Sequence, residues 1–163
     1  MMRFVAEVTA PRPLRVLVVE DDAAQRHILR LSLEKRGHRV VLEATRGDDA
    51  RILQTAADVA VIDIGLPGKS GIEVIRALRA TTSAVRVRGL PVLVLSASAH
   101  SAAVTEALLA GALGYVVKGA RISDIVDAVE VVADKKQVLP AHPRADTPAA
   151  GSPGRPPSPG PRK

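Results

Sequence analysis

The run Val59-Ala60-Val61-Ile62-Asp63-Ile64-Gly65-Leu66-Pro67-Gly68-Lys69-Ser70-Gly71 changes character at its middle. Small and β-branched apolar residues stop abruptly at a carboxylate, Asp63. A loop rich in Gly and Pro follows, and an amphipathic pattern begins at Ile72. The pattern predicts a buried strand that delivers Asp63 to its C-terminal edge, then a turn into a helix. That edge of a parallel sheet is where open α/β folds place their chemistry.

The same alternation recurs on both sides. Upstream, Leu14–Val19 predicts a strand closed by Glu20-Asp21-Asp22, and a helix follows from about Ala23 to Arg36. Its apolar stripe is Ala24, Ile28 and Leu31, with Leu29 and Leu33 beside it, and Gly37 stops it. Val40–Leu42 predicts a second strand and Asp48–Thr55 a second helix. Downstream, Ile72, Ile75 and Leu78 mark the third helix, and the polar, basic segment Thr81–Gly89 a loop. Pro91–Leu95 predicts a strand ending at Ser96-Ala97-Ser98. A helix carrying Ala103, Val104, Ala107 and Leu108 then runs to Gly111. Leu113–Val117 predicts the last strand, delivering Lys118, and Ile122, Ile125, Val126, Val129 and Val132 form the clearest helical face. Five strands alternating with five helices predict a doubly wound α/β domain, its parallel sheet covered on both faces. Strand runs that are apolar throughout agree with two-sided burial.

The 163 residues suffice for one domain and a tail, with a core built from aliphatic side chains because Phe4 and Tyr115 are the only aromatics. The absence of cysteine excludes disulfides, thiol catalysis and thiolate metal sites. No apolar run reaches the roughly 18 residues a membrane helix needs, and the N-terminus lacks a signal-peptide pattern. A cytoplasmic protein without membrane association is the expectation. Net charge is +6, yet residues 1–140 hold 19 basic and 16 acidic side chains. Half of the excess lies after Ala141, in Arg144, Arg155, Arg162 and Lys163 against Asp146. With no basic groove and no stacking aromatics evident, nucleic acid is not an expected partner. Domain limits are set at 1–13 for an N-terminal extension, 14–136 for the domain and 137–163 for a Pro-rich basic tail. Eight Pro and three Gly from Pro140 onward predict disorder with polyproline II character.

Three predicted strand ends carry acids or a hydroxyl: Glu20-Asp21-Asp22, Asp63 and Ser96; Lys118 follows the fifth. In a doubly wound sheet these line one crevice. Two carboxylates about 4 Å apart repel by roughly 4 kcal/mol at an effective dielectric of about 20. Protonation or a cation must relieve that, and a few hard oxygen ligands suit Mg²⁺. Ser96 and Lys118 suit anionic oxygens instead. A metal on one side with an ammonium and a hydroxyl on the other is a site for a phosphoryl group. Asp22 is read as a helix N-cap. The four histidines, His27, His38, His100 and His142, fall on polar or loop stretches and are read as solvated. Gly68-Lys69-Ser70 mimics the end of a P-loop, but the required first Gly falls at Asp63 and Pro67 lacks an N–H. No nucleotide cradle is expected there.

The order and spacing of Val18-Val19-Glu20-Asp21, of Asp63 through Gly71, of Ser96-Ala97 and of Gly114-Tyr115-Val116-Val117-Lys118 resemble the receiver domain of two-component response regulators. The resemblance covers about Leu14 to Asp134. It implies a flavodoxin-like five-stranded parallel sheet in the order 2-1-3-4-5, with five helices. It implies that Asp63 accepts a phosphoryl group from a sensor histidine kinase or phosphotransfer protein. Asp21, Asp63 and the Gly65 carbonyl would bind Mg²⁺, with Glu20 acting through water. Lys118 would pair with the phosphoryl oxygens, Ser96 would hydrogen-bond them, and Tyr115 would switch rotamer. By the same resemblance the chain is a signalling protein with autodephosphorylation rather than an enzyme. Its partners would be the kinase, an output protein and, in a homodimer, a second copy. Gly119 departs from the Pro that many receivers place after the Lys, and the expected chain carries no DNA-binding output domain. Two other readings remain: a haloacid-dehalogenase-type phosphohydrolase, which wants a second Asp where Gly65 stands, and a phosphorylation-independent module with a polyanion-binding tail.

Overall fold

The computed structural model describes residues 12–81 and 89–140. Most of the Thr81–Gly89 loop, nearly all of the N-terminal extension and most of the expected tail, with Phe4 and His142, lie outside these residues. The strands are β1 (Arg15–Val19), β2 (Arg39–Ala44), β3 (Val59–Asp63), β4 (Val92–Ser96) and β5 (Gly114–Val117). The helices are α1 (Ala23–Lys35), α2 (Arg51–Gln54), α3 (Gly71–Ala80), α4 (Ser101–Ala110) and α5 (Ile122–Ala133). All strand pairs are parallel, in the order β2-β1-β3-β4-β5. Chain order reverses between β1 and β3, which opens the crevice beyond their C-terminal ends.

Period-2 alternation sorts the uniformly apolar strands into two cores. Leu17, Val19, Ala60, Ile62, Val92 and Val94 pack with α2, α3 and α4. Val16, Val18, Val59, Val61, Leu93 and Leu95 pack with α1 and α5. Val126, Val129 and Val132 of α5 are buried, each stabilising the sheet by about 1.5–3 kcal/mol relative to exposure.

Four expectations need correction. The buried stripe of α1 is Leu29 and Leu33, while Ile28 and Leu31 are 51% and 49% exposed and Ala24 is also exposed. Two overlapping i, i+3/i+4 sets were available in that sequence, and only one can face the sheet. Helix α2 is a single turn that starts later than expected, after a bend in which Asp49 accepts the Arg51 N–H at 3.0 Å. Val138, assigned above to the tail, pairs in parallel with Gly114. Its N–H donates to the Leu113 carbonyl at 3.1 Å, and its own carbonyl accepts from Tyr115 at 2.9 Å. It uses backbone groups that an edge strand leaves free.

The fourth correction concerns His38, which is buried rather than solvated. Its Nδ1 accepts the Leu14 N–H at 3.2 Å, which leaves the proton on Nε2, 2.8 Å from Glu130 Oε1. The ring thus ties the start of β1 to α5, and Arg36 holds the same Glu130 from outside.

Asp58 anchors the same end of β1, taking the Arg15 N–H at 2.8 Å and both Arg15 and Arg12 guanidiniums. Burial pushes its carboxyl up, but the hydrogen bonds from Arg15 outweigh that and hold it below the usual aspartate range. Its contribution is therefore present above about pH 3.9 and is lost as pH falls through the lowered value. Asp58→Asn is expected to cost about 1.5 kcal/mol at pH 7. Urea unfolding at pH 7 and pH 3 measures it, and the difference from wild type should shrink at the lower pH.

Candidate functional site

The structure brings Glu20, Asp21, Asp63, Ser96 and Lys118 to the C-terminal edges of β1, β3, β4 and β5, and Tyr115, inside β5, reaches Ser98 through its hydroxyl. Carboxylate oxygens of Glu20, Asp21 and Asp63 all lie within 4.8 Å of one another. Glu20 and Asp63 are buried and Asp21 is exposed, so the cluster opens to solvent on one side.

Local structure fixes each group. The Glu20 N–H donates to the Ala44 carbonyl at 3.0 Å, extending the β1–β2 ladder by one bond. Glu20 Oε1 accepts the Asp22 N–H at 3.0 Å, and Asp22 Oδ1 caps α1 through the Gln25 N–H at 2.8 Å. The N-cap assigned to Asp22 is therefore present. Asp63 Oδ1 accepts the Gly65 N–H at 3.0 Å. Ser70 and Glu73 form a capping box that starts α3. Ser70 thus ends the P-loop look-alike as a helix cap.

Lys118 Nζ lies 2.8 Å from Asp63 Oδ2 and 3.2 and 3.0 Å from the two Glu20 oxygens. The contact with Glu20 Oε2 is one of charge, since that buried atom accepts no well-directed hydrogen bond. Burial, the largest influence, pushes the Glu20 carboxyl up, and the Asp22 amide and Lys118 only partly offset it. Burial also opposes the Lys118 charge, but its hydrogen bonds to Asp63 and Glu20 together prevail and hold the ammonium above the usual lysine range. One ammonium thus faces three carboxylates, two of them buried. The excess negative charge and the unsatisfied Glu20 oxygen fit a divalent cation held by oxygen. These residues suit Mg²⁺.

Ser96, buried at the end of β4, accepts the Ser98 N–H on its Oγ at 3.2 Å. Tyr115 is fully buried, and its hydroxyl donates to the Ser98 carbonyl at 2.5 Å. Ser98 therefore links the two residues singled out as switches, a link that sequence alone did not indicate. A second unanticipated group is Arg26, which donates to the Glu20 carbonyl at 2.8 Å and braces the acidic turn. Its position four residues after Asp22, facing the turn, was the available signal. Backbone hydrogen bonds hold the turn that contains Gly119. Lys118 N–H donates to the Ser96 carbonyl at 2.8 Å, Ala120 N–H to Val117 at 3.0 Å, and no described peptide bond is cis.

This fold gathers an acidic cluster and an ammonium at one strand edge, and comparison with known proteins identifies its family. Residues 16–130 match the response regulator receiver domain family. The virulence transcriptional regulatory protein PhoP of Salmonella typhimurium strain LT2 is 36% identical over 127 residues, covering 77% of this chain and 54% of that protein. The two-component response regulator PhoP of Pseudomonas aeruginosa is 41% identical over 107 residues, 64% of this chain and 45% of that one. The chain therefore spans about half the length of these relatives. Among solved structures, the receiver domain of the response regulator NarL from Mycobacterium tuberculosis has a TM-score of 0.68 and 32% identity, covering 77% of this chain and all (100%) of that one. A LuxR-family response regulator from Aurantimonas sp. has a TM-score of 0.69 at 32% identity, covering 78% and 89%.

The chain belongs to the receiver domain family of two-component response regulators. Receivers are signalling proteins rather than classical enzymes, bind Mg²⁺ at an acidic pocket, and work with histidine kinases or phosphotransfer proteins. No described helix is long and apolar enough to cross a membrane.

Proposed function

We propose that Asp63 is the phosphoacceptor of a cytoplasmic two-component relay. A carboxylate oxygen of Asp63 attacks the phosphorus of a phosphohistidine; the P–O bond forms as the P–N bond breaks, and the imidazole leaves with a proton. Mg²⁺, held by Asp21, Asp63 and the Gly65 carbonyl with Glu20 through water, would neutralise charge on the transferring group. Lys118, already on Asp63 Oδ2, moves with its ammonium onto the phosphoryl oxygens. Ser96 Oγ turns from the Ser98 N–H to the phosphoryl group, and the freed Ser98 lets the loop before α4 and Tyr115 rearrange. That change at α4, β5 and α5 would be the signal to an output protein or a second copy, and slow autodephosphorylation would end it. The observation that carries this reading is the Lys118 bridge between Asp63 and Glu20 at the mouth of an acidic cluster. Intact-mass measurement after incubation with acetyl phosphate tests it. A single adduct that needs Mg²⁺ and disappears in Asp63→Asn supports it; an equal adduct on the variant rejects it.

The phosphodonor would approach over α1. Ile28 is half exposed beside a cavity of about 230 Å³ that joins Glu20 and Lys118 to Leu29, Ile122 and Ile125. This apolar rim suits one face of a helix bearing the phosphohistidine. Ile28→Asp is expected to slow transfer from the cognate kinase at least about tenfold while acetyl phosphate labelling stays at the wild-type rate. Parallel time courses with the two donors check this.

A further inference from the structure

The near balance of charge in the domain conceals a segregation that only the fold reveals. The acids gather at the C-terminal ends of the strands. The opposite edge, where strands begin and helices end, is cationic. Lys35 closes α1, Arg39 opens β2, Arg79 lies in the last turn of α3, and Lys135 and Lys136 follow α5. All five are exposed, and none forms an ion pair among the described residues. The acids at this edge are largely spent: Asp58 is held by Arg12 and Arg15, and Glu34 faces Arg30, which leaves Asp134.

Helix dipoles favour cations at helix ends and account for Lys35 and Arg79. They do not account for Arg39, which opens a strand. Nor do they explain Lys135, held at φ 60, a conformation that Gly adopts far more readily. Both Arg79 and Lys135 are set on rigid supports. The Arg79 side chain lies over Gly111, where a Cβ would stand 2.0 Å from its Cδ. Lys135 is fixed by the hydrogen bonds of Lys135 N–H to Val132 and Lys136 N–H to Val131, at 2.8 and 3.2 Å. The two cations share the rim of a cavity of about 280 Å³ floored by Leu90, Pro91 and Leu113, with no acid in its lining.

We propose that this edge is a second interaction surface, which binds the phosphate backbone of double-stranded nucleic acid without reading its sequence. Exposed cations without ion pairs along one edge suit phosphates along a duplex. Among the described residues no aromatic is exposed, so this edge offers no platform for the stacking that single strands require. Outside the described residues the sequence carries a further net positive charge, in Arg144, Arg155, Arg162 and Lys163 against Asp146. The absence of a basic groove, which argued against nucleic acid in the sequence, thus gives way to a cationic edge. This proposal does not depend on phosphorylation of Asp63.

Fluorescence anisotropy of a labelled duplex of arbitrary sequence, with the full chain at several salt concentrations, tests it. Four contacting cations predict a log–log salt slope of at least about −3.6, so affinity falls roughly 100-fold or more between about 50 and 200 mM salt. The variant Arg39→Gln/Arg79→Gln/Lys135→Asn/Lys136→Gln should flatten the slope by about 3.6. Its thermal unfolding and its labelling by acetyl phosphate should match wild type. Wild-type binding that the variant retains with an unchanged slope overturns the proposal, as does capture of phosphatidylserine vesicles with no binding to duplex.

Discussion

Lys118→Ala is expected to slow labelling by acetyl phosphate about 100-fold, the usual cost of removing one preorganised donor from a phosphoryl or oxyanion site. The effect is large because the ammonium has two tasks. In the resting site it sits 2.8 Å from Asp63 and 3.0 Å from Glu20, the principal compensation for two buried carboxylates. In the proposed transfer it moves to the phosphoryl oxygens. Removing it also leaves a buried charge unpaired, which typically costs about 3–5 kcal/mol. The stability loss should be smaller in Mg²⁺ than in EDTA, because a cation can take over the first task and not the second. Thermal unfolding in both conditions, beside the labelling time course, separates the two roles. Equal labelling rates for variant and wild type would remove Lys118 from the mechanism.

Gly71→Ala is expected to destabilise the domain by about 3 kcal/mol, lowering its Tm by roughly 10 °C. The cause is a close approach. A Cβ on Gly71 would stand 2.2 Å from the Asp63 carbonyl oxygen and 2.8 Å from the Ile64 Cα. Both neighbours are backbone, and the Gly71 N–H already donates to the Ile64 carbonyl at 2.9 Å. The start of α3 must therefore move away from the end of β3, carrying with it the turn that positions Asp63. Labelling should fall along with stability. Gly119→Ala is the control, since no atom lies within 4 Å of the new Cβ, and its Tm should match wild type. A Gly71→Ala protein as stable as that control would show that the β3–α3 junction is looser than described.

Much of this was legible in the chain. Each strand was foreseen because five short, largely apolar runs end near a polar residue, a pattern that suits a sheet covered on both faces. The gathering of Glu20, Asp21, Asp63 and Lys118 was foreseen because parallel strands send those ends to one edge. What was missed depended on which of two faces a residue takes. Ile28 and Leu31 carry the same local signal as Leu29 and Leu33, and only packing against β1 and α5 selects the latter pair. His38 reads as a loop histidine until Leu14 and Glu130, 24 and 92 residues away, supply its partners. The Ser98 link between Ser96 and Tyr115 is likewise a contact across 17 residues. The basic edge escaped notice because a charge count carries no direction.

The central claim is that Asp63 is the residue modified. Peptide mapping of the protein after acetyl phosphate and Mg²⁺ treatment tests that most directly. The account predicts one labelled peptide, containing Asp63, whose phosphoryl group is lost on mild base or hydroxylamine treatment as an acyl phosphate requires. A stable phosphoryl group on Ser70, Ser96 or Ser98, or label on a histidine with Asp63 unmodified, would contradict it.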